Sequence, residues 1–207
     1  MLCSVYVALD WRGEGNDSSP SGQGGTACAE YQNRVIRNIP AKRVQIDEIW
    51  SFCYAKQKNV TPKMAEERIC GDVWTFTAIE AQTKLVLSWL VGRRDAGCAV
   101  EFLQDIAGRL SNRIQLTTDG HKMYLTAVDD AFAGEIDFAQ LVKVYGNDPE
   151  GQKRYSPAQW LGSQSSTVSG DPAPEHISTS YVERQNLNMR MKHAALHPSD
   201  EWVLQKD

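Results

Sequence analysis

The sequence lacks any apolar run able to cross a bilayer. Its longest, Leu85 to Val91, falls well short of the roughly 20 residues that a spanning helix needs. No secretory leader is expected either, since Met1 to Leu9 has no basic start and meets Asp10 at once, a pattern that argues against a signal peptide. No C-x-x-C pair occurs among Cys3, Cys28, Cys53, Cys70 and Cys98. An odd, scattered set of this kind reads as reduced thiols of a cytoplasmic protein, not as a disulfide framework or a zinc site. Positive charge is outnumbered too, 22 Lys and Arg against 26 Asp and Glu. The net charge of −4 speaks against tight, nonspecific hold on nucleic acid, which needs Lys and Arg for the phosphates. Carboxylates that serve a metal ion would, however, add negative charge that the ion offsets. Order signals are missing from residues 1–25, whose Gly/Ser-rich stretch around Gly13 to Gly25 reads as a flexible leader.

What remains is ordinary for a folded domain. At 207 residues with 42% hydrophobic content, the chain can bury one sizeable core. The pattern predicts a short helix over 27–39, stopped before Pro40, then a long strand over 43–54 with alternating faces. Val44, Ile46, Trp50 and Phe52 share one face of that strand, and Glu48 interrupts it. A loop over 56–71 carries Lys56, Lys58, Lys63 and Arg68. Strands over 72–79 and 84–91 form a hairpin. A helix over 95–110, a strand over 113–117, a helix over 121–132 and a strand over 138–145 follow. Residues 146–176 are polar and rich in Gly, Pro and Ser, and read as an inserted loop holding Lys153, Arg154, Tyr155 and Trp160. The last helix opens at Ser180, with Tyr181, Val182, Leu187, Met189 and Met191 as its apolar side.

Three carboxylates stand out. Asp47 lies inside the first strand, where an unpaired buried charge would be costly. Asp119 sits just past a strand end, and Asp119-Gly120 also suits a plain turn. Glu183 is on the last helix, where Ser180-x-x-Glu183 equally fits a capping box. Glu183 shares a helix face with Asn186, Leu187 and Arg190, and Arg184 and Lys192 bring further positive charge.

A strand Asp, a strand-end Asp and a helical Glu, together with the stretches Asp47-Glu48-Ile49-Trp50-Ser51-Phe52, Gly71-Asp72-Val73-Trp74-Thr75 and Tyr181-Val182-Glu183-Arg184-Gln185-Asn186, resemble a DDE-type transposase of the bacterial insertion-sequence-one group. The match runs from about Thr26 to Lys192. The resemblance implies an α/β, RNase H-like fold: a mixed five-stranded sheet with helices on its faces, as a catalytic domain over 26–192 with the polar insertion 146–176 inside it. It implies cutting and joining of DNA strands, transposition of an insertion sequence, in a nucleoid-associated bacterial protein of the cytoplasm. Two magnesium ions, for which manganese can substitute, would sit roughly 3.5–4 Å apart. Asp47 would bridge both, Asp119 would hold one and Glu183 the other. The implied partners are element-end and target DNA and at least one further copy of the chain. His121, Arg184, Asn186, Arg190 and Lys192 are the candidate DNA contacts, with Arg184 and Asn186 also able to brace Glu183. Two departures stand against the family pattern. No helix-turn-helix is readable in 1–25, and the tail 193–207 diverges. A truncated, inactive remnant that pairs with an intact transposase, or another RNase H-like nuclease, is therefore the alternative.

Overall fold

In the computed structural model, the described residues are 20–67, 70–146 and 160–196. In chain order they form α1 (Pro20–Val35), β1 (Arg43–Cys53), α2 (Pro62–Glu67), β2 (Gly71–Glu80), β3 (Val86–Gly92), α3 (Ala96–Ala107), β4 (Gln115–Asp119), α4 (Met123–Phe132), β5 (Asp137–Tyr145), β6 (Trp160–Ser169) and α5 (Ser180–Leu196). The strands make one mixed sheet in the order β3-β2-β1-β4-β5-β6. The β1–β2–β3 meander is antiparallel, β4 lies parallel to β1 and to β5, and β6 returns antiparallel on β5. This is the α/β, RNase H-like arrangement expected, with six strands in place of five.

The sixth strand lies in the stretch read as an inserted loop. Its described side chains are almost all exposed, and Leu161 and Val168 sit at the two register shifts against β5, where the alternation of faces breaks. With no apolar face, period-two burial leaves no trace in the sequence. The strand exists because the backbone of β5 offers a ladder from Phe138 to Tyr145. Residues 147–159, with Lys153, Arg154 and Tyr155, lie outside the described residues.

Two other boundaries move. The first helix begins at Pro20, inside the supposed leader, and ends at Val35. Proline suits a first helical position, while Gly22, Gly24 and Gly25 each weaken a helix by about 1 kcal/mol and hide it from a sequence reading. Tertiary ties fix its far half: Gln32 Nε2 donates to Val86 O on β3, Trp89 Nε1 donates to Gln32 Oε1, and Arg109 donates to Asn33. Residues 1–19, the rest of that leader, and 197–207, most of the divergent tail, lie outside the described residues. Among the described residues no helix is long and apolar enough to cross a membrane.

The core lies between one face of the sheet and the pair α3–α4. Val44 and Ile46 of β1, Phe76 and Ala78 of β2, Leu116 of β4 and Phe138 of β5 meet Phe102, Leu103 and Ile106 of α3 and Tyr124 and Ala127 of α4. Asp95 caps α3 by accepting from Cys98 N at 2.9 Å, one of the orphan donors at a helix start. The opposite sheet face carries α5, which packs on β1 and β2. Its buried side differs from the apolar side expected. Val182 and Asn186, one turn apart, face the sheet, while Tyr181, Leu187 and Met191 are exposed.

Candidate active site

The docking of α5 on β1 is polar, and it sets the site. Gln45 Oε1 accepts from Tyr181 N at 2.9 Å and from Val182 N at 3.2 Å. Ser180 N donates to Ser178 Oγ and Glu183 N to Thr179 O. The orphan N–H groups of Ser180, Tyr181 and Val182 are thus satisfied, and the first intrahelical bond is made from Glu183 N, without the Glu183 carboxylate. The capping-box reading of Ser180-x-x-Glu183 does not hold, because a strand glutamine 136 residues away supplies the cap. Glu183 turns instead toward Thr179 Oγ1, which donates to Oε1 at 2.6 Å, and toward Lys143 Nζ, 2.5 Å from Oε2.

One turn further along α5, Asn186 Nδ2 donates to Asp47 Oδ2 at 2.9 Å. Gln45 and Asp47 are alternate residues of β1 and so share a sheet face, which makes two polar latches between one strand and one helix. Asn186 is buried by this contact; it braces Asp47 rather than Glu183 and does not face outward toward DNA. Burial, the largest effect, pushes the Asp47 carboxyl up to about 6 from 3.8; the Asn186 bond opposes the rise, and repulsion from Glu48 and Glu183 adds to it. Among the described residues, neither the buried hydroxyl oxygen of Thr77, the cross-strand partner of Asp47, nor the buried amide oxygen Oδ1 of Asn186 has a hydrogen-bond partner.

Asp119 arrives from the parallel neighbour. Gln45 pairs with Thr117, and that register continued two residues along each strand sets Asp119 beside Asp47. Asp119 is the last residue of β4, where Oδ1 accepts from His121 N at 3.1 Å, so the turn role read for Asp119-Gly120 is also real. His121 Nδ1 accepts from Met123 N at the start of α4, and the ring lines the same cleft.

A fourth carboxylate belongs here. Glu48 projects to the core face of β1, where its side chain is only 1% exposed. Tyr124 Oη donates to Glu48 Oε1, and Arg94 donates to Oε2 from Nε at 3.1 Å and Nη2 at 2.9 Å. Arg94 Nη2 also reaches Asp119 Oδ2 at 3.2 Å, and the guanidinium stacks over Trp74 at 4.6 Å from the ring centre. Burial raises the Glu48 carboxyl above its ordinary value, against the bonds from Tyr124 and Arg94. The interruption of an apolar strand face by Glu48 was the legible sign of this group. Arg94 and Tyr124 carry no sequence signal, since each is placed only by the packing of α3 and α4.

Asp47, Arg94, Asp119, His121, Lys143 and Glu183 line one cleft of about 540 Å³. Carboxylate oxygens of Asp47, Glu48 and Asp119 lie within 4.8 Å of one another. An all-oxygen donor set of this kind suits a hard divalent cation such as magnesium, manganese or calcium, and the guanidinium already bonded to two of the three shows that the group accepts positive charge. Glu183 lies on the same cleft but outside that tight group. Arg184 and Arg190 are exposed on α5, and the side chain of Lys192 lies outside the described residues.

No family model matches the chain, and no curated protein does. Among solved structures, a crystal structure of an endonuclease V from Bacillus subtilis aligns with 93% of this chain and 99% of its own, at 11% identity and a TM-score of 0.40. So distant a likeness has no bearing on activity.

Proposed function

We propose that the chain is a DDE-type transposase of the insertion-sequence-one kind, an enzyme that cuts and joins DNA strands with Asp47, Asp119 and Glu183 as its catalytic carboxylates. The observation that carries this reading is the meeting of a mid-strand Asp, a strand-end Asp and a helical Glu on one cleft, with the glutamate released from any capping duty. Asp47, Asp119 and the adjoining Glu48 would hold one divalent cation, magnesium or manganese, and Glu183 would complete the site for a second. Such ions, when bound, lower the pKa of water and neutralise charge on the attacking and leaving oxygens of an in-line displacement.

The protein's own part is positional. Asn186 fixes the Asp47 carboxylate, Gln45 fixes the helix that carries Glu183, and the two latches together set the spacing between those carboxylates. His121 lines the approach, where it can meet a phosphate oxygen, and Arg184 and Arg190 lie outward on α5 where a flanking duplex would pass. Water first breaks a phosphodiester and frees a 3′-hydroxyl. That hydroxyl then attacks the target strand, exchanging one P–O bond for another. Joining two element ends calls for at least two copies of the chain.

Purified protein incubated with supercoiled plasmid, short labelled duplexes and manganese tests the reading. Nicking and joined products are expected from the wild type, with more than about 100-fold loss in Asp47→Asn, Asp119→Asn and Glu183→Gln, because loss of a ligand exceeds the 10–100-fold effect of outer-shell changes. Full activity in any one of the three would remove it from the site. Hydrolysis without joining would point to another RNase H-like nuclease. Inactivity, with co-purification of a longer relative, would identify a remnant that pairs with an intact enzyme.

A further inference from the structure

We infer that Arg94 and Lys143 are place-holding cations: in the metal-free chain they neutralise the cleft carboxylates, compete with divalent metal for them, and turn to the phosphates of the nucleic acid once displaced. The inference rests on the metal reading above and deepens it. Arg94 bonds two of the three carboxylates that form the tight oxygen group, Glu48 and Asp119. Lys143, from β5 on the far wall, bonds the remaining cleft glutamate. Three cleft carboxylates, Asp47, Asp119 and Glu183, and the buried Glu48 beside them thus face two built-in positive charges.

These pairs differ from the buried Arg109 pair at the end of α3. Arg109, which ties α3 to α1, is 5% exposed and donates to Asp105, Asn33 and a backbone carbonyl. Arg94 is 29% exposed, and Lys143 and Glu183 are 37% and 35% exposed. Their heads lie on an open cleft, where water and ligands can reach them. The stem of Arg94 is anchored next to the Asp95 cap of α3 and its guanidinium rests on Trp74. A planar cation held on a ring keeps free N–H edges suited to a phosphate. A divalent ion brings twice the charge and takes the carboxylate oxygens, so the guanidinium loses its acceptors where a phosphodiester would lie.

The test is a calorimetric titration of manganese, without DNA, into the metal-free full chain as wild type, Arg94→Gln, Arg94→Lys and Lys143→Gln. Removing a competing positive charge strengthens cation binding. Arg94→Gln should bind manganese at least about tenfold more tightly, which corresponds to 1.4 kcal/mol. Lys143→Gln should gain severalfold, and Arg94→Lys should stay near the wild type. Under saturating manganese, binding of a short labelled duplex should weaken in both Gln variants. Equal or weaker manganese binding in Arg94→Gln and Lys143→Gln would overturn the place-holding role while leaving the metal site standing. Absence of manganese binding in the wild type and all variants would overturn the metal reading, and this inference with it. Circular dichroism identifies any variant that fails to fold. Lys143, half-exposed on a sheet strand, carries the test on its own if Arg94→Gln does fail.

Discussion

Where β1, β4 and β5 begin, Arg113 grips Asp137; toward the other end of the same sheet, where β1 and β4 carry Asp47 and Asp119, Arg94 grips Glu48. The chemical unit is the same and the electrostatic outcome is opposite. Asp137 receives two guanidinium bonds, at 3.2 and 2.7 Å, and the amide of Asp171. The Arg113 bond holds its carboxyl below the ordinary value. Glu48 also receives two guanidinium bonds, yet burial outweighs them and its carboxyl is raised. The difference is water. At the Asp137 end solvent still reaches both partners and charge separation is cheap. At the Glu48 end two neighbouring carboxylates, Asp47 and Glu48, have been desolvated together, and the bonds they receive leave them under-compensated. An Arg–carboxylate pair therefore reports nothing by itself; the surrounding dielectric decides whether it braces the fold or marks a site that favours more positive charge.

The sharpest way to break the comparison is to remove one charge from the buried end. Between about pH 4 and 6 the folded chain keeps a proton on Asp47 that the unfolded chain has released. Stability therefore falls as pH rises through that window and stays lower above it. Asp47→Asn keeps an oxygen to accept from Asn186 and cannot ionise. In metal-free buffer at pH 7.5 it should be more stable than the wild type by up to about 3 kcal/mol, from the 1.36 kcal/mol that each pKa unit represents. The gain should vanish near pH 4. Urea denaturation at the two pH values measures it, and a destabilised variant at pH 7.5 would show that Asp47 is not under strain. Added manganese should stabilise the wild type and not the variant.

Much of this contrast was legible before the fold. The strand pattern of β1, the hairpin of β2 and β3 and the amphipathic α3 follow from period-two and period-3.6 burial, and together they set Asp47 and Asp119 on adjacent parallel strands. Glu48 was visible as a charge on an apolar face. The remainder depends on contacts across long stretches of chain. Gln45 capping α5, Asn186 meeting Asp47 and Tyr124 meeting Glu48 join residues more than 70 positions apart, and no local pattern marks them. The edge strand β6 has no burial to be periodic about, and the glycine-bearing start of α1 reads as loop because its residues oppose the helix they occupy.

A second, smaller effect of opposite sign comes from the partner of Glu48. Tyr124 is fully buried, and its hydroxyl is one of only two kinds of donor that Glu48 receives among the described contacts. Tyr124→Phe should cost about 2 kcal/mol, within the range for a buried acceptor left without its donor. The cost should shrink as pH falls, because the raised Glu48 carboxyl can then take up a proton instead. A loss that does not change with pH would assign the effect to packing alone.

The smallest effect belongs to the exposed end, and there the pH dependence should run the other way. The Asp137 carboxyl is held down by Arg113, so its contribution is present above the ordinary carboxyl value and is lost as pH falls below it. Arg113 is 42% exposed in this pair, and an exposed pair contributes little. Arg113→Gln should lower Tm by about 2 °C or less at pH 7, and by less still in 1 M salt, where charges are screened beyond about 3 Å. The difference between variant and wild type should shrink as pH falls below the ordinary carboxyl value. A large, salt-independent loss would show that the Arg113 bonds to Gly134 O and Ile136 O, which hold the turn before β5, matter more than its charge. The two ends of the sheet would then differ in what their arginines hold, backbone at one and carboxylates at the other, and not only in how much water reaches them.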